Sequence, residues 1–132
     1  MSKLLFLCTG NSCRSQMAEG FAKTLLSNKY QVYSAGIEAH GINPIAAKVM
    51  GEVGIDISNH HSNSILDSEL IQYDTVVTLC GDAKDRCPIL SNHNNHIHWG
   101  LEDPASATGS DEEIIDFYRK IRDQIKYKIN SL

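Results

Sequence analysis

The apolar run "KLLFLC" (3–8) passes directly into "TGNSCRS" (9–15), a stretch of small polar residues, and then into Met17, Ala18, Phe21, Leu25 and Leu26 at helical spacing. So short and continuous an apolar run suits a strand buried on both faces, whereas three- and four-residue intervals suit a helix. The chain therefore opens as strand, loop, helix, and the pattern recurs. "QVYSAG" (31–36) reads as a second strand closed by Gly36. "NPIAAKVMGEVG" (43–54) reads as a helix with Asn43 as its cap, Pro44 in the first turn and Gly54 near its end. "YDTVVTLC" (73–80) is the strongest β-branched run, and "HIHWG" (96–100) makes a last strand. From Asp111 onward, Ile114, Phe117, Ile121, Ile125 and Ile129 mark one face of a long final helix, begun by a Ser-Asp-Glu-Glu segment suited to a positive helix end.

Strands alternating with helices imply right-handed crossovers and a parallel sheet. The expected fold is a single α/β domain over residues 1–132, three-layered, with a four-stranded parallel sheet flanked by helices. In such sheets ligands bind beyond the carboxyl ends of the strands, where the strand order reverses. Cys8 and Cys80 each fall at the last residue of a predicted strand, which puts both on that edge. The net charge of −4 argues against nucleic acid or an anionic membrane as a partner, and leaves room for one small anion site. No apolar run approaches the roughly 18 residues of a membrane span. The start "MSKLLFLC" lacks the long apolar core and cleavage site of a secretory signal, so a cytoplasmic location is expected; the expected oligomeric state is a monomer.

Four cysteines stand at 8, 13, 80 and 87. A chain of 132 residues can build a core without disulfide staples, and the spacings Cys-x4-Cys and Cys-x6-Cys miss the tight knuckles of structural zinc sites. Thiol chemistry is left. Between a strand and a helix, small residues let the backbone of Thr9, Gly10, Asn11, Ser12 and Cys13 curl so that successive N–H groups point inward as an anion-binding nest. The helix that begins near Ser15 adds its positive end. Arg14 can close the ring with a planar fork matched to two oxyanion oxygens. Cys8 then lies at the bottom, in a positive potential that favours its thiolate, and the Ser15 hydroxyl can hold the charged sulfur. These residues make Cys8 a nucleophile candidate beneath a tetrahedral oxyanion.

"CTGNSCRSQMAEG" resembles the signature loop of the low-molecular-weight protein tyrosine phosphatase superfamily. The resemblance runs nearly end to end, through "VYSAGIEAHGINP", "DISNHHSN", "VVTLCGDAKDRCP" and "HWGLEDPA", and is nearest to the thioredoxin-coupled arsenate reductase branch. A phosphatase has no use for Cys80 and Cys87, whereas reducing arsenate takes two electrons, which two thiols supply on becoming a disulfide. Adjacent parallel strands lie about 4.8 Å apart, so carboxyl-end cysteines on neighbouring strands come within disulfide range. The resemblance implies that Cys8 attacks arsenate, that Cys80 forms a disulfide with Cys8 as arsenite leaves, and that Cys87 then takes over Cys80. The resulting exposed disulfide is reduced by thioredoxin. In a helical span Cys80 and Cys87 would sit roughly 10.5 Å apart, at about 1.5 Å per residue, against a disulfide limit of about 7 Å. Residues 81–89 are therefore expected to change shape on oxidation, with Gly81 as hinge and Pro88 limiting the far side; an unchanged backbone in the oxidised form would overturn this.

The resemblance also makes Asp103, in "EDPAS", the general acid for the leaving oxygen, and the proline after it favours an extended backbone there. Phosphatases of the superfamily follow this Asp-Pro pair with tyrosines that flank an aromatic substrate, whereas Ala105 and Ser106 follow here. Some reductases of the branch carry potassium near the loop. The resemblance places its side-chain ligands on Asn11, Glu19 and Ser34, with Asn63 where an aspartate is usual, a change that should weaken cation binding. Cys13 is expected to lend its N–H and no sulfur chemistry. The set His93, His96 and His98 reads as surface or hydrogen-bonding histidines rather than a metal site, and Trp99 as a core or rim aromatic.

Overall fold

The computed structural model describes residues 1–80 and 95–132. Strands β1 (Ser2–Cys8), β2 (Tyr30–Gly36), β3 (Thr75–Cys80) and β4 (Asn95–Leu101) form one sheet in the order β2-β1-β3-β4, all parallel. Helices α1 (Arg14–Leu25), α2 (Pro44–Gly51) and α3 (Asp111–Ile129) accompany it, with short 3-10 helices over Asp67–Gln72 and Pro104–Ser106. This is the four-stranded parallel α/β arrangement that the alternating pattern predicts. The chain runs outward from β1 to β2 and then crosses back to β3 on the other side of β1. The carboxyl ends of β1 and β3 are thus the place where the strand order reverses, and a ligand crevice opens there.

Alternation along β1 divides its side chains between two clusters. Leu4, Phe6 and Cys8 join Met17 and Phe21 of α1, Val49 and Met50 of α2, and Ile121 and Ile125 of α3. Leu5 and Leu7 point the other way, toward Ala35, Leu70 and Val76. Leu4, Leu5, Phe6 and Leu7 are all fully buried, which is why this strand reads as an unbroken apolar run. All three α-helices pack on the first face. On the second, among the described residues, the cover is the 3-10 helix Asp67–Gln72 with Ile65 and Tyr73 beside it. Helical periodicity marks which stripe of a helix is buried, but not which sheet face receives it, so the side that these three helices take is visible only in three dimensions.

The helix ends follow from local chemistry. Asn43 caps α2, its Oδ1 accepting from the amides of Ile45 and Ala46 at 2.9 and 3.1 Å. Past its last turn, Ile55 N–H reaches back to Met50 O and Gly54 N–H to Gly51 O, both at 3.1 Å. Gly54 sits at φ +80°, the left-handed closure that glycine allows. Ser110 and Glu113 form a reciprocal capping box at the start of α3. Just beyond α2, Glu52 faces α3 and is held by Arg119 and Arg122. Trp99 is buried with its ring centroid 6.0 Å from that of Phe6.

Candidate active site

The loop between β1 and α1 bends so that its carbonyls face outward, and a neighbouring segment receives them. Ile37, Glu38, His40 and Asn43 donate their backbone N–H groups to the carbonyls of Cys8, Thr9, Gly10 and Ser12, at 3.3, 2.9, 2.9 and 3.0 Å. Ser62 adds its hydroxyl to Gly10 O at 3.1 Å, and Gln16 Nε2 donates to Asn11 O at 3.2 Å. With their carbonyls engaged on the outside, the amides of Thr9–Cys13 point inward. Among the described residues none of these amides donates to a protein acceptor. Asn11 adopts φ +47°, an unusual value for a residue other than glycine, and this turns the loop over. Gly36 lies beneath it, where an added Cβ would come within 2.7 Å of Asn11 N and Thr9 O and within 2.6 Å of Glu38 O. Only a glycine leaves that approach open.

Inside the loop lies a cavity of about 210 Å³ lined by Cys8, Gly10, Cys13, Arg14, His40 and Asp103, among others. Arg14 is buried, and its Nη1 donates to the carbonyls of Leu79 and Leu101 at 3.1 and 2.9 Å, which ties it to the carboxyl ends of β3 and β4. Its Nη2 lies 3.9 Å from Asp103 Oδ2. Asp103 has the extended backbone expected before proline, with φ −79° and ψ 110°. Its Oδ1 accepts from Ala105 N at 3.0 Å. Burial pushes the Cys13 thiol up, and the nearby Asp103 carboxylate adds to this, so Cys13 stays protonated.

Behind Cys8 runs a chain of buried polar side chains. Cys8 Sγ and Ser15 Oγ are 2.8 Å apart, and Asn11 Nδ2 donates to Ser15 Oγ at 2.9 Å and to Ser34 Oγ at 3.0 Å. Ser34 donates in turn to Glu19 Oε1. A carboxylate only accepts, so the Ser34 proton points at Glu19 and Ser34 must accept from Asn11. Both Asn11 amide protons are then committed, and Ser15 accepts one of them. The Ser15 proton is left for the sulfur. The chain thereby fixes a direction that the sulfur–oxygen distance alone leaves open, and Cys8 is the acceptor, the role suited to a thiolate.

The sequence profile of the low molecular weight phosphotyrosine protein phosphatase family matches residues 3–132. The chain belongs to this family. Among its members, the arsenate reductase of Bacillus subtilis strain 168 is 58% identical over 123 residues, 92% of this chain and 88% of the relative. A solved structure of an arsenate reductase in the phosphate binding state is 39% identical, with a TM-score of 0.81, covering 99% of this chain and 95% of that one. The thioredoxin-dependent arsenate reductase of Corynebacterium glutamicum is 28% identical with a TM-score of 0.70, covering 99% of this chain and 61% of that one.

Against the expectations from sequence, the structure brings Cys8, Thr9, Gly10, Ser12, Cys13, Arg14 and Asp103 to one cavity, with Asn11 and Ser15 behind it. Cys80 ends β3; its side chain, Cys87, Gly81 and Pro88 lie outside the described residues, as does His93. His96 Nε2 and His98 Nδ1 both contact Thr78 Oγ1, at 3.0 and 2.6 Å, as hydrogen-bonding histidines would. No cluster of three metal-ligating side chains occurs among the described residues. None of the described residues lining the cavity is a phenylalanine, tyrosine or tryptophan, and Ala105, which follows the Asp-Pro pair, is part of its wall.

Asn11, Glu19 and Ser34 do come together, yet they do not fit a resident potassium ion. Asn11 Oδ1 already accepts from Gln16 Nε2 at 3.1 Å and from Asn63 N at 2.8 Å, and Ser34 Oγ is engaged by both its neighbours. The Lys23 ammonium pairs with Glu19 Oε2. Hard cations need several oxygens turned toward one point, and here those oxygens are turned toward protein donors.

Sequence reading missed the 37–43 segment, His40 and Asn43 as cavity walls, and Gln16. Asn43 carried a visible signal as a helix cap, but its backbone bond to Ser12 has no local signature.

Proposed function

We propose that the protein reduces arsenate to arsenite in the cytoplasm, using its own thiols and thioredoxin as the reductant that restores them. The reading is carried by the position of Cys80 at the end of β3, the strand paired with β1, which itself ends at Cys8. The register Leu7↔Thr78 sets Cys8 one residue, and Cys80 two residues, beyond a paired position. The two strand ends are neighbours at a spacing of about 4.8 Å, which supports sulfur exchange between them once a local backbone movement turns both side chains to one side. The high identity to the Bacillus subtilis arsenate reductase supports it, as does the fit of a small tetrahedral anion to a rim without phenylalanine, tyrosine or tryptophan.

Arsenate binds on the inward amides of Thr9–Cys13 and on Arg14. The Cys8 sulfur attacks arsenic, and one oxygen leaves as water with a proton from Asp103. The Cys80 thiolate then attacks Cys8 Sγ. The sulfur–sulfur bond forms as the sulfur–arsenic bond breaks, its electron pair stays on arsenic, and arsenic(III) departs as arsenite. Cys87 attacks Cys80 and frees the Cys8 thiolate, and the dithiol of thioredoxin reduces the Cys80–Cys87 bond. A relay of free thiols belongs in a reducing compartment.

The test is NADPH consumption with thioredoxin and thioredoxin reductase present, comparing the wild type with Cys87→Ser. The wild type should consume NADPH only when arsenate is added, and the variant should stop after at most one cycle. Absence of arsenate-dependent consumption together with hydrolysis of an aryl phosphate that survives Cys80→Ser and Cys87→Ser would make the protein a phosphatase instead.

A further inference from the structure

We infer, on the strength of the oxyanion site proposed above, that His40, held by Glu38, is a third part of that seat, and that its Nδ1 binds the anion from the β2 side while Arg14 and Asp103 come from the side of β3 and β4. The sheet order β2-β1-β3-β4 sets Cys8 between two walls. On one side Arg14 is tied to the ends of β3 and β4, and Asp103 follows β4. On the other, the chain leaving β2 brings Glu38, His40 and Asn43 against the loop. His40 and Asn43 reach the cavity from this second wall. Asn43 turns its Oδ1 to the cap of α2 and gives a proton of Nδ2 to the Tyr118 hydroxyl at 3.1 Å.

The His40 ring is held in one orientation. His40 N–H donates to Gly10 O and Glu38 N–H to Thr9 O, both at 2.9 Å, so both residues are fastened to the loop by their backbones. The ring lies on Gly10: a Cβ built on that glycine would stand 2.3 Å from His40 Nδ1 and 2.9 Å from Cγ. Gly10 has no positive φ, so the close approach of the imidazole, and not backbone conformation, calls for a glycine there. At the other ring nitrogen, Nε2 and Glu38 Oε2 are 2.6 Å apart. A carboxylate only accepts, so the proton of that contact is on Nε2, and Glu38 sets the tautomer. Nδ1, the ring atom nearest that Cβ position, has no hydrogen-bond partner among the described residues. An uncharged ring accepts at Nδ1 from a hydroxyl of the anion, and a protonated ring donates there to an ionised oxygen. Hydrogen phosphate and hydrogen arsenate carry both kinds of oxygen. The loop amides and Arg14 only donate, whereas an imidazole serves either kind.

The experiment is calorimetric titration of wild type, His40→Asn and His40→Gln with inorganic phosphate at neutral pH, with the melting temperature of each alongside. An asparagine amide can stand where Nδ1 stands; a glutamine amide reaches instead to the place of Nε2 and can keep the contact with Glu38. Loss of one hydrogen bond to an anion should weaken phosphate binding roughly 10-fold in His40→Gln, while His40→Asn stays much closer to wild type. The ring is half-exposed, so neither melting temperature should move appreciably. In the thioredoxin-coupled assay the KM for arsenate should rise in the same order. A His40→Gln variant that binds phosphate as the wild type does would overturn the inference, because holding Glu38 would then be the whole task of the ring. Equal weakening in both variants would overturn it too, since the bulk of the ring against Gly10, and not Nδ1, would then be what counts. No measurable phosphate binding by the wild type would remove the seat and His40 with it. The titration needs neither arsenate nor thioredoxin: a wild type that binds phosphate but consumes no NADPH with arsenate fails the reductase reading alone, and the order of the two variants still decides for or against His40.

Discussion

Behind Cys8 the polar side chains are buried, mostly uncharged, and ordered so that each proton has one place to point; beyond α2, Glu52 is gripped near the surface by exposed Arg119 and by buried Arg122. The first cluster runs through Ser15, Asn11 and Ser34 to one carboxylate. The second gathers Glu52, Arg119, Arg122, Asp116 and Asp123, with contacts of 2.6 to 2.9 Å. Both join distant parts of the chain. Neutral, directional bonds set the character of one atom, the sulfur. The charges of the second cluster hold α2 against α3, and water and salt weaken those on its exposed side, Glu52, Arg119, Asp116 and Asp123. The difference teaches where a single substitution will be felt as chemistry and where as slight loosening.

Gly36→Ala should break the comparison most severely. The added methyl meets backbone atoms of residues 9, 11 and 38 that have no room to yield, so the loop itself must shift. We expect a loss of about 2–3 kcal/mol in stability and on the order of 100-fold in turnover from misplaced amides. A variant with full phosphate binding by calorimetry and full turnover would show that the loop tolerates displacement. Ser15→Ala sharpens the contrast: it removes the donor to sulfur and leaves one buried Asn11 amide proton without its acceptor. A hydrogen bond to a charged group is worth about 1.5–3 kcal/mol, or roughly 10- to 100-fold in rate. The larger loss should appear in kcat and in Cys8 alkylation, with a modest fall in melting temperature from the unpaired Asn11 amide. Equal loss in rate and stability would instead make Ser15 a packing residue.

Glu52→Gln should have the smallest effect, a slight drop in melting temperature that disappears at high salt. Its hydrogen bond to Arg119 holds the Glu52 carboxyl down to about 2, from an ordinary 4.5. The folded state therefore binds this proton less readily than the unfolded state does. The stabilisation is complete above pH 4.5 and is lost as the pH falls toward 2. Thermal unfolding across that window should fall less steeply in the variant, and parallel curves would remove Glu52 from the account of acid sensitivity.

The strands and the nucleophile were readable because their signals are local. Leu4–Leu7 are buried on both faces and so are continuously apolar, and Cys8 marks the point where that run meets small polar residues. Asn43 and Gly54 were readable for the same reason, since caps and left-handed closures depend on a few adjacent residues. The outer support of the loop was not, because the bonds from residues 37–43 to residues 8–12 are made by backbone atoms that any residue but proline can supply. Nor could sequence show that Lys23 and Gln16 engage the very oxygens offered to potassium, which depends on how α1 rolls against β2. The resemblance carried Asp103 and the thiol relay, which residue patterns alone would have left among turn residues and loop cysteines.

The outward row of carbonyl bonds has a consequence for selectivity. Ordering a residue's backbone costs about 1–2 kcal/mol of conformational entropy, and at Thr9–Ser12 that ordering is completed when the chain folds rather than when an anion arrives. The loop is preorganised, and its fit to a tetrahedral anion is set beforehand. Phosphate and arsenate, alike in shape and charge, then meet the same finished mould. In the proposed relay, discrimination between them arises after seating, at the step where a second sulfur would pull the first away from arsenic but would find no comparable escape from phosphorus.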